Sequence, residues 1–283
     1  VLDAAKFEDF AKDVLSAVFF LLTVASYLLY VRKQNQHFYF ASIAAHLLGL
    51  LSKVTVVVAP IILIFLDWQQ GRGVSKRTLV EKLPHLTLSI IFGIIATFGK
   101  KGNVELLFEK FLIGAKASAF YLQKLLFPTG LSVLYPYTKP LSLETPDLLA
   151  SVFIVTAISI LVFASLRWRK WPIVAWGTYL LLLAPTFTNF AKGKELLRDV
   201  YFASDRYAYL ASIALIIPAA ALLTKFRTRY RWPFDIGVAA VVVSFMVLTF
   251  QQSLVWKDTE ALFRNVTRHY PNAHIAHINL GFL

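Results

Sequence analysis

A series of apolar runs constrains this chain more than any other feature, because several approach or exceed the roughly 20 residues needed to cross the hydrocarbon core of a bilayer. They are Val14 to Val31, residues 38 to 67, Pro84 to Phe98, Pro146 to Leu166, Trp171 to Thr188, Tyr207 to Thr224 and Phe234 to Val255. Hydrophobic residues fill 58% of the 283 positions and charged residues 16%, where soluble domains carry about 25% charged. So few charged groups cannot clothe a water-facing surface of this size. The fold class implied is all-α, a polytopic helical membrane protein.

The basic balance reads through the same frame. A net charge of +13 could serve a nucleic acid, but in a membrane chain the commoner cause is basic loops that set topology. The absence of cysteine excludes disulfides, thiolate metal sites and cysteine nucleophiles. The chain opens at Val1 without a methionine or a secretory leader and stops at Leu283 inside an unfinished helix pattern. Both ends are expected to be cut from a longer protein.

The run from 38 to 67 is too long for one ordinary crossing, at about 1.5 Å per residue. A hairpin turning near Ser52-Lys53 keeps Arg32-Lys33 and the basic loop of Arg72, Lys76, Arg77 and Lys82 on one side. Residues 105–127 mix Glu105, Glu109, Lys110, Lys116 and Lys124 with apolar residues, which reads as an amphipathic helix lying in the interface. Eight crossings then put four short loops in the cytoplasm: Arg32-Lys33, Arg72 to Lys82, Arg167 to Lys170 and Lys225 to Arg231. These loops hold 13 Lys/Arg and one acid, Glu81. The outer side receives residues 1–13, Lys53, the segment 99–145, the loop 189–206 and the tail from Trp256.

Most acidic residues fall on that outer side, so the chemistry is expected there. The acids of 1–13 (Asp3, Glu8, Asp9 and Asp13) read mostly as a solvated loop, from which no spacing singles out a general base. Lys53 sits between apolar runs, either snorkelling to the interface or meeting an anionic lipid headgroup. Arg206 opens a span beside Asp205, either as a boundary ion pair or as a planar fork for a lipid phosphate. Six histidines form no metal pattern; His274 and His277 alone lack a third ligand. Gly71-Arg72-Gly73 does not make a phosphate loop.

The tail is a different kind of sequence. Trp256, Phe263 and Pro271, then Ala276-His277-Ile278-Asn279-Leu280-Gly281, fall at the intervals of a tetratricopeptide repeat. One repeat and a start cannot bury a helical core alone, so an array is expected to continue. The domains are thus 1–255 in the membrane and 256–283 opening the repeat region.

Five motifs in order carry a resemblance: Lys12-Asp13-Val14-Leu15-Ser16, Leu51-Ser52-Lys53, Phe127-Pro128 with Tyr135-Pro136, Ser204-Asp205-Arg206-Tyr207-Ala208-Tyr209-Leu210, and Trp256-Lys257-Asp258 entering the repeat. Together they resemble the membrane glycosyltransferases of GT-C type with C-terminal tetratricopeptide repeats, the transmembrane-and-repeat O-mannosyltransferases and their bacterial relatives. The likeness covers essentially the whole chain. It implies inverting sugar transfer from a polyprenyl- or dolichyl-phosphate donor to an acceptor, a protein hydroxyl, on the outer or luminal side. It implies no cofactor, no metal and no nucleic acid. Donor contacts would come from Lys53, Tyr135, Arg198, Asp205 and Arg206, and the repeats would present the acceptor protein.

The family's catalytic acid belongs to the first outer loop, which lies upstream of this chain or is reduced here to Asp3. Phe10-Ala11 also stands where relatives often have Glu-Arg. The membrane implied is a bacterial inner membrane, or the endoplasmic reticulum in a eukaryote. A non-catalytic repeat scaffold and a lipid or anion transporter are the rival classes. A transporter would show internal symmetry and helices broken at the midplane. One break, at Ser52-Lys53, is visible, and no repeated half.

Overall fold

The computed structural model describes residues 2–73, 75–98, 107–187, 200–229 and 231–282, without the side chains of 2–10, 200, 226, 228 and 229. Nearly every element is a helix. Among the described residues four helices are long and apolar enough to cross a membrane: Ala11–Lys33, Pro146–Arg167, Asp205–Lys225 and Arg231–Val255. Three apolar helices are shorter, Val54–Gln69, Leu83–Thr97 and Trp171–Thr186. The chain divides into two compact units, Val1–Asn103 with Ser165–Leu182, and Val104–Ala164 with Leu183–Leu283.

In the first unit, α1 (Leu2–Lys33) and α2 (Gln36–Ser52) form a long antiparallel hairpin. The turn is tight because Gln34 takes a left-handed conformation, φ 51°, and Asn35 caps α2 by accepting from the His37 amide. Gly49 lets the helices approach closely: a Cβ there would stand 3.2 Å from Val56 Cγ2 and 3.4 Å from Phe19 Cβ. After Lys53 the chain does not continue as an α-helix. Val54–Val58 forms a 3-10 turn before α3 (Ala59–Gln69). The run Val54-Thr55-Val56-Val57-Val58 is all β-branched, which crowds a helix, and Pro60 falls in the first turn of α3, where its missing N–H costs nothing. The reversal expected at Ser52-Lys53 is therefore present.

A short α4 (Lys76–Val80) is closed by a capping box between Ser75 and Thr78, and α5 (Leu83–Thr97) again carries its proline in the first turn. Residues 1–13, read as a solvated loop, are instead the helical start of α1 from Leu2. Ala4, Ala5, Ala11 and the alternating charges favour continuing the helix over ending it.

The second unit contains α6 (Leu107–Leu126), α7 (Pro146–Ala164), α9 (Asp205–Arg229) and α10 (Arg231–Val255); α8 (Trp171–Leu183) lies almost wholly in the first unit. The helix expected over 105–127 is α6. It buries Leu112, Ile113, Ala115, Ala117 and Tyr121 and leaves Phe108 and Phe111 exposed. Midway along it, Lys116 pairs at 3.2 Å with Asp147, the second residue of α7. No side chain of α10 is buried, although it is apolar along most of its length, as suits a helix whose surroundings are lipid.

One feature departs from the all-α reading. Tyr135–Tyr137 (β1) and Val200–Ala203 (β2) pair as a two-stranded antiparallel sheet with an irregularity after Tyr135. Segments this short carry no periodicity from which to foresee a strand.

The tail folds as a helix pair, α11 (Thr259–His269), capped by Asp258, and α12 (His274–Gly281). Phe263, Val266, Ala273 and Ala276 form its core, and Val133 and Leu134 pack against them from the loop before β1. This pair therefore does not bury its apolar face within itself; the loop before β1, in the same unit, supplies part of the cover.

Candidate functional site

In the second unit two motifs distant in sequence meet. The β1–β2 pairing brings Tyr135 to the first residue of α9, and the Tyr135 hydroxyl donates to Asp205 Oδ1 at 2.8 Å while accepting from the Ser132 amide at 2.8 Å. Burial, followed by the charge of Asp205, holds the Tyr135 phenol well above its ordinary pKa, so it stays a donor. Just before Asp205, Ser204 is gripped by the Tyr121 hydroxyl, which donates to its carbonyl at 3.0 Å and accepts from its amide at 2.8 Å. Phe120 stands edge-on to Tyr135 with centroids 4.7 Å apart, and Phe202 lies tilted against it at 6.1 Å.

Burial lowers the pKa of the Lys124 ammonium while Asp205 pulls it back up. Arg206, half-buried, lays its guanidinium 5.2 Å from the Tyr207 ring centroid. The hydrogen-bond partner found for Asp205 is thus Tyr135, seventy residues earlier. Tyr135 is fully buried, and its hydroxyl holds Asp205 in place.

The first unit joins another two motifs. Lys53 forms an ion pair with Asp13, and the side chains are only 23% and 13% exposed. Neither snorkelling nor a headgroup contact foresees this protein partner, because Asp13 lies forty residues away on the neighbouring helix. Asp3 is in α1, with its side chain outside the described residues, and Arg198 lies outside them altogether.

At the opposite end of α1 lies a cluster that joins Arg72, Glu81 and Lys82, from the loop read as cytoplasmic, to Tyr27, Tyr30 and Asp67 of the apolar runs. Arg72 sends Nη1 to Asp67 Oδ1 at 3.0 Å and Nη2 to Glu81 Oε2 at 2.8 Å, and it also reaches the Tyr27 hydroxyl at 3.0 Å. Lys82 pairs with Asp67, and Tyr30 donates to Glu81 at 3.1 Å. Asp67 and Lys82 are 2% and 3% exposed.

Two acids and two bases cancel here, which is the condition for burying them at all. Burial opposes the Arg72 charge, but the Glu81 hydrogen bonds and nearby negative groups outweigh it and raise its pKa; for Lys82 burial wins and lowers it. Lys170 donates to the Trp68 carbonyl at 3.1 Å, bringing the 167–170 loop to this same end. The available signal was Asp67 closing an apolar run, with Tyr27 and Tyr30 one turn apart on α1.

Comparison with protein-family models, with curated proteins and with solved structures gave no match in any of the three. Function therefore has to be argued from these centres and from the sequence motifs they unite.

Proposed function

We propose that the chain is the membrane part of a glycosyltransferase that moves a sugar from a polyprenyl- or dolichyl-phosphate donor to a protein hydroxyl on the outer side. The observation that carries this reading is the pairing of its motifs: Asp13 with Lys53, and Tyr135 with Asp205. The tail also reaches the second centre, since Asn265 donates to the Leu131 carbonyl at 3.0 Å and Tyr270 stands edge-on to Tyr135 at 6.0 Å.

In the reaction the acceptor oxygen forms a bond to the anomeric carbon as the bond from that carbon to the phosphate oxygen breaks. The hydroxyl proton passes to a carboxylate, and polyprenyl phosphate leaves carrying the negative charge. Arg206, held at the head of α9 beside an Asp205 that Tyr135 fixes, suits a fork that stabilises this growing charge.

The test is sugar transfer by the full-length protein in proteoliposomes. Arg206→Lys keeps the charge but loses the bidentate geometry, and kcat is expected to fall by roughly 10². Lys192→Ala, at a position between α8 and β2 in the sequence, is expected to change it little. Normal transfer by Arg206→Lys overturns the role of Arg206, and no transfer by the wild-type chain with any such donor favours the scaffold.

The topology proposed with this function has eight crossings. Lys53 and Arg77 stand at opposite ends of α1, against Asp13 and Gln34 respectively; 21 helical residues separate those ends by about 32 Å. Single cysteines introduced at Lys53 and Arg77 in this cysteine-free chain should therefore react with an impermeant reagent from opposite sides of the membrane. Labelling of both from one side defeats the assignment.

A further inference from the structure

The loop from Phe127 to Leu134 joins α6 to β1, and its second half is held by the tail. Asn265 on α11 donates through Nδ2 to the Leu131 carbonyl at 3.0 Å. Val133 and Leu134 pack into the core of Phe263, Val266, Ala273 and Ala276. Tyr270, which ends α11, sets its ring edge-on to Tyr135, with centroids 6.0 Å apart and planes at 83°. Four of the five residues 131–135 therefore lean on the tail. The fifth, Ser132, gives its amide to the Tyr135 hydroxyl at 2.8 Å.

Tyr135 passes this hold on to the head of α9. Its hydroxyl donates to Asp205 Oδ1 at 2.8 Å, and its backbone pairs with Ala203, two residues before Asp205. Tyr270 itself lies near the same carboxylate: burial first, and then the charge of Asp205, raises the pKa of its phenol. The contacts thus run from Asn265 and Tyr270 to the loop, from the loop to Tyr135, and from Tyr135 to Asp205 beside Arg206. Val266, Ala273, Ala276 and Tyr135 along this route are fully buried, and packed interiors of this kind transmit displacement rather than absorb it.

Holding an irregular loop in one shape costs about 1–2 kcal/mol per residue in backbone entropy, so contacts from elsewhere must offset it. The start of this loop is tied to α6, where Lys124 donates to the Thr129 carbonyl. Gly130 then turns the chain at φ 61°, with the His269 ring of α11 3.7 Å from where a Cβ would stand. Between that turn and β1 the tail supplies the contacts. The tail in turn has little room to leave, because only Trp256, Lys257 and Asp258 join α10 to α11. Asp258 is committed to the cap of α11, accepting from the Ala261 amide at 2.7 Å. A brace is built this way, rather than a module on a free linker.

We propose that the first helix pair of the tail is part of the site, with Asn265 and Tyr270 as positioning residues that hold Tyr135, and through it Asp205 and Arg206, in the geometry of transfer. What the site does rests on the glycosyl-transfer reading; the bracing itself is measurable without it. Bracing the site and presenting the acceptor are separate roles. A tail that only presents the acceptor sets its KM, whereas a tail that braces Asp205 sets kcat.

The experiment is hydrogen exchange of the full-length protein in proteoliposomes, followed by sugar-transfer kinetics on the same preparations. Tyr270→Leu removes the ring and Asn265→Leu removes the donor. Each should speed amide exchange in 131–137 and 200–204 by about tenfold or more while α11 and α12 stay protected. Tyr270→Phe keeps the ring and should exchange like the wild type. In transfer, Tyr270→Leu should lower kcat by about tenfold or more with the acceptor KM nearly unchanged, and Tyr270→Phe should restore kcat. Unchanged exchange at 131–137 and 200–204 in both leucine variants overturns the proposal, as does a raised acceptor KM with kcat intact. Should Tyr270→Leu unfold α11, Asn265→Leu carries both arms. Absence of transfer by the wild-type protein defeats the glycosyl-transfer reading alone, and the exchange arm still decides the bracing.

Discussion

Asp67→Ala is expected to destabilise the protein by about 3–5 kcal/mol, the cost of breaking a buried ion pair by removing one partner. Asp67 accepts from Tyr27 at 2.9 Å and from Arg72 at 3.0 Å, and it is the closest counter-charge to Lys82. Without it, Lys82 keeps its charge 3% exposed, with only Glu81, 4.0 Å away and already engaged by Arg72, to answer it.

The lost stability should come back when the orphaned cation goes too. Asp67→Leu with Lys82→Met leaves Arg72 and Glu81 as a balanced pair, and such apolar replacements of buried ion pairs are often neutral or stabilising. A double-mutant cycle in a denaturing-detergent titration measures both arms. A loss under about 1 kcal/mol for Asp67→Ala would show that water reaches Lys82 and that the cluster is not buried in the sense argued here.

Phe263→Ala is expected to unfold the tail. Phe263 is 2% exposed at the centre of the small core that holds α11 and α12, and truncating a buried Phe costs about 3–5 kcal/mol. A two-helix element has little stability to spare. Hydrogen exchange should therefore show fast amides throughout α11 and α12 with α9 and α10 still protected. Phe282→Ala, at a side chain 86% exposed, should leave exchange unchanged. Continued protection of α11 in Phe263→Ala would mean that the Asn265–Leu131 hydrogen bond and Tyr270 anchor the helix without its core.

Much of this molecule follows from local sequence. Apolar runs marked the four long helices, because a bilayer core fixes the length of apolar residues a helix needs. The amphipathic pattern of 105–127 marked α6, and the excess length of the run 38–67 marked the break at Ser52-Lys53. Asp258, Phe263 and Pro271 outlined the tail helices. Each of these signals acts within a few turns of the chain, where the hydrogen bonds and the sterics that decide the outcome are themselves local.

What only the tertiary structure decided is which charges lose their water. Arg72 and Lys82 are indistinguishable in sequence from Lys76 and Arg77, four basic residues in one loop. Yet Lys82 is buried and Arg72 half-buried against Asp67 and Glu81, while the last two face solvent. The same holds for Lys53, answered by Asp13 across the α1–α2 hairpin, and for Asp205, answered by Tyr135 seventy residues earlier. Burial depends on which surfaces meet, and a charge enters such a surface only where a partner from a distant segment arrives to replace its hydration. Sequence alone determined where the helices run and break, and the packing of those helices determined which of their polar residues became sites.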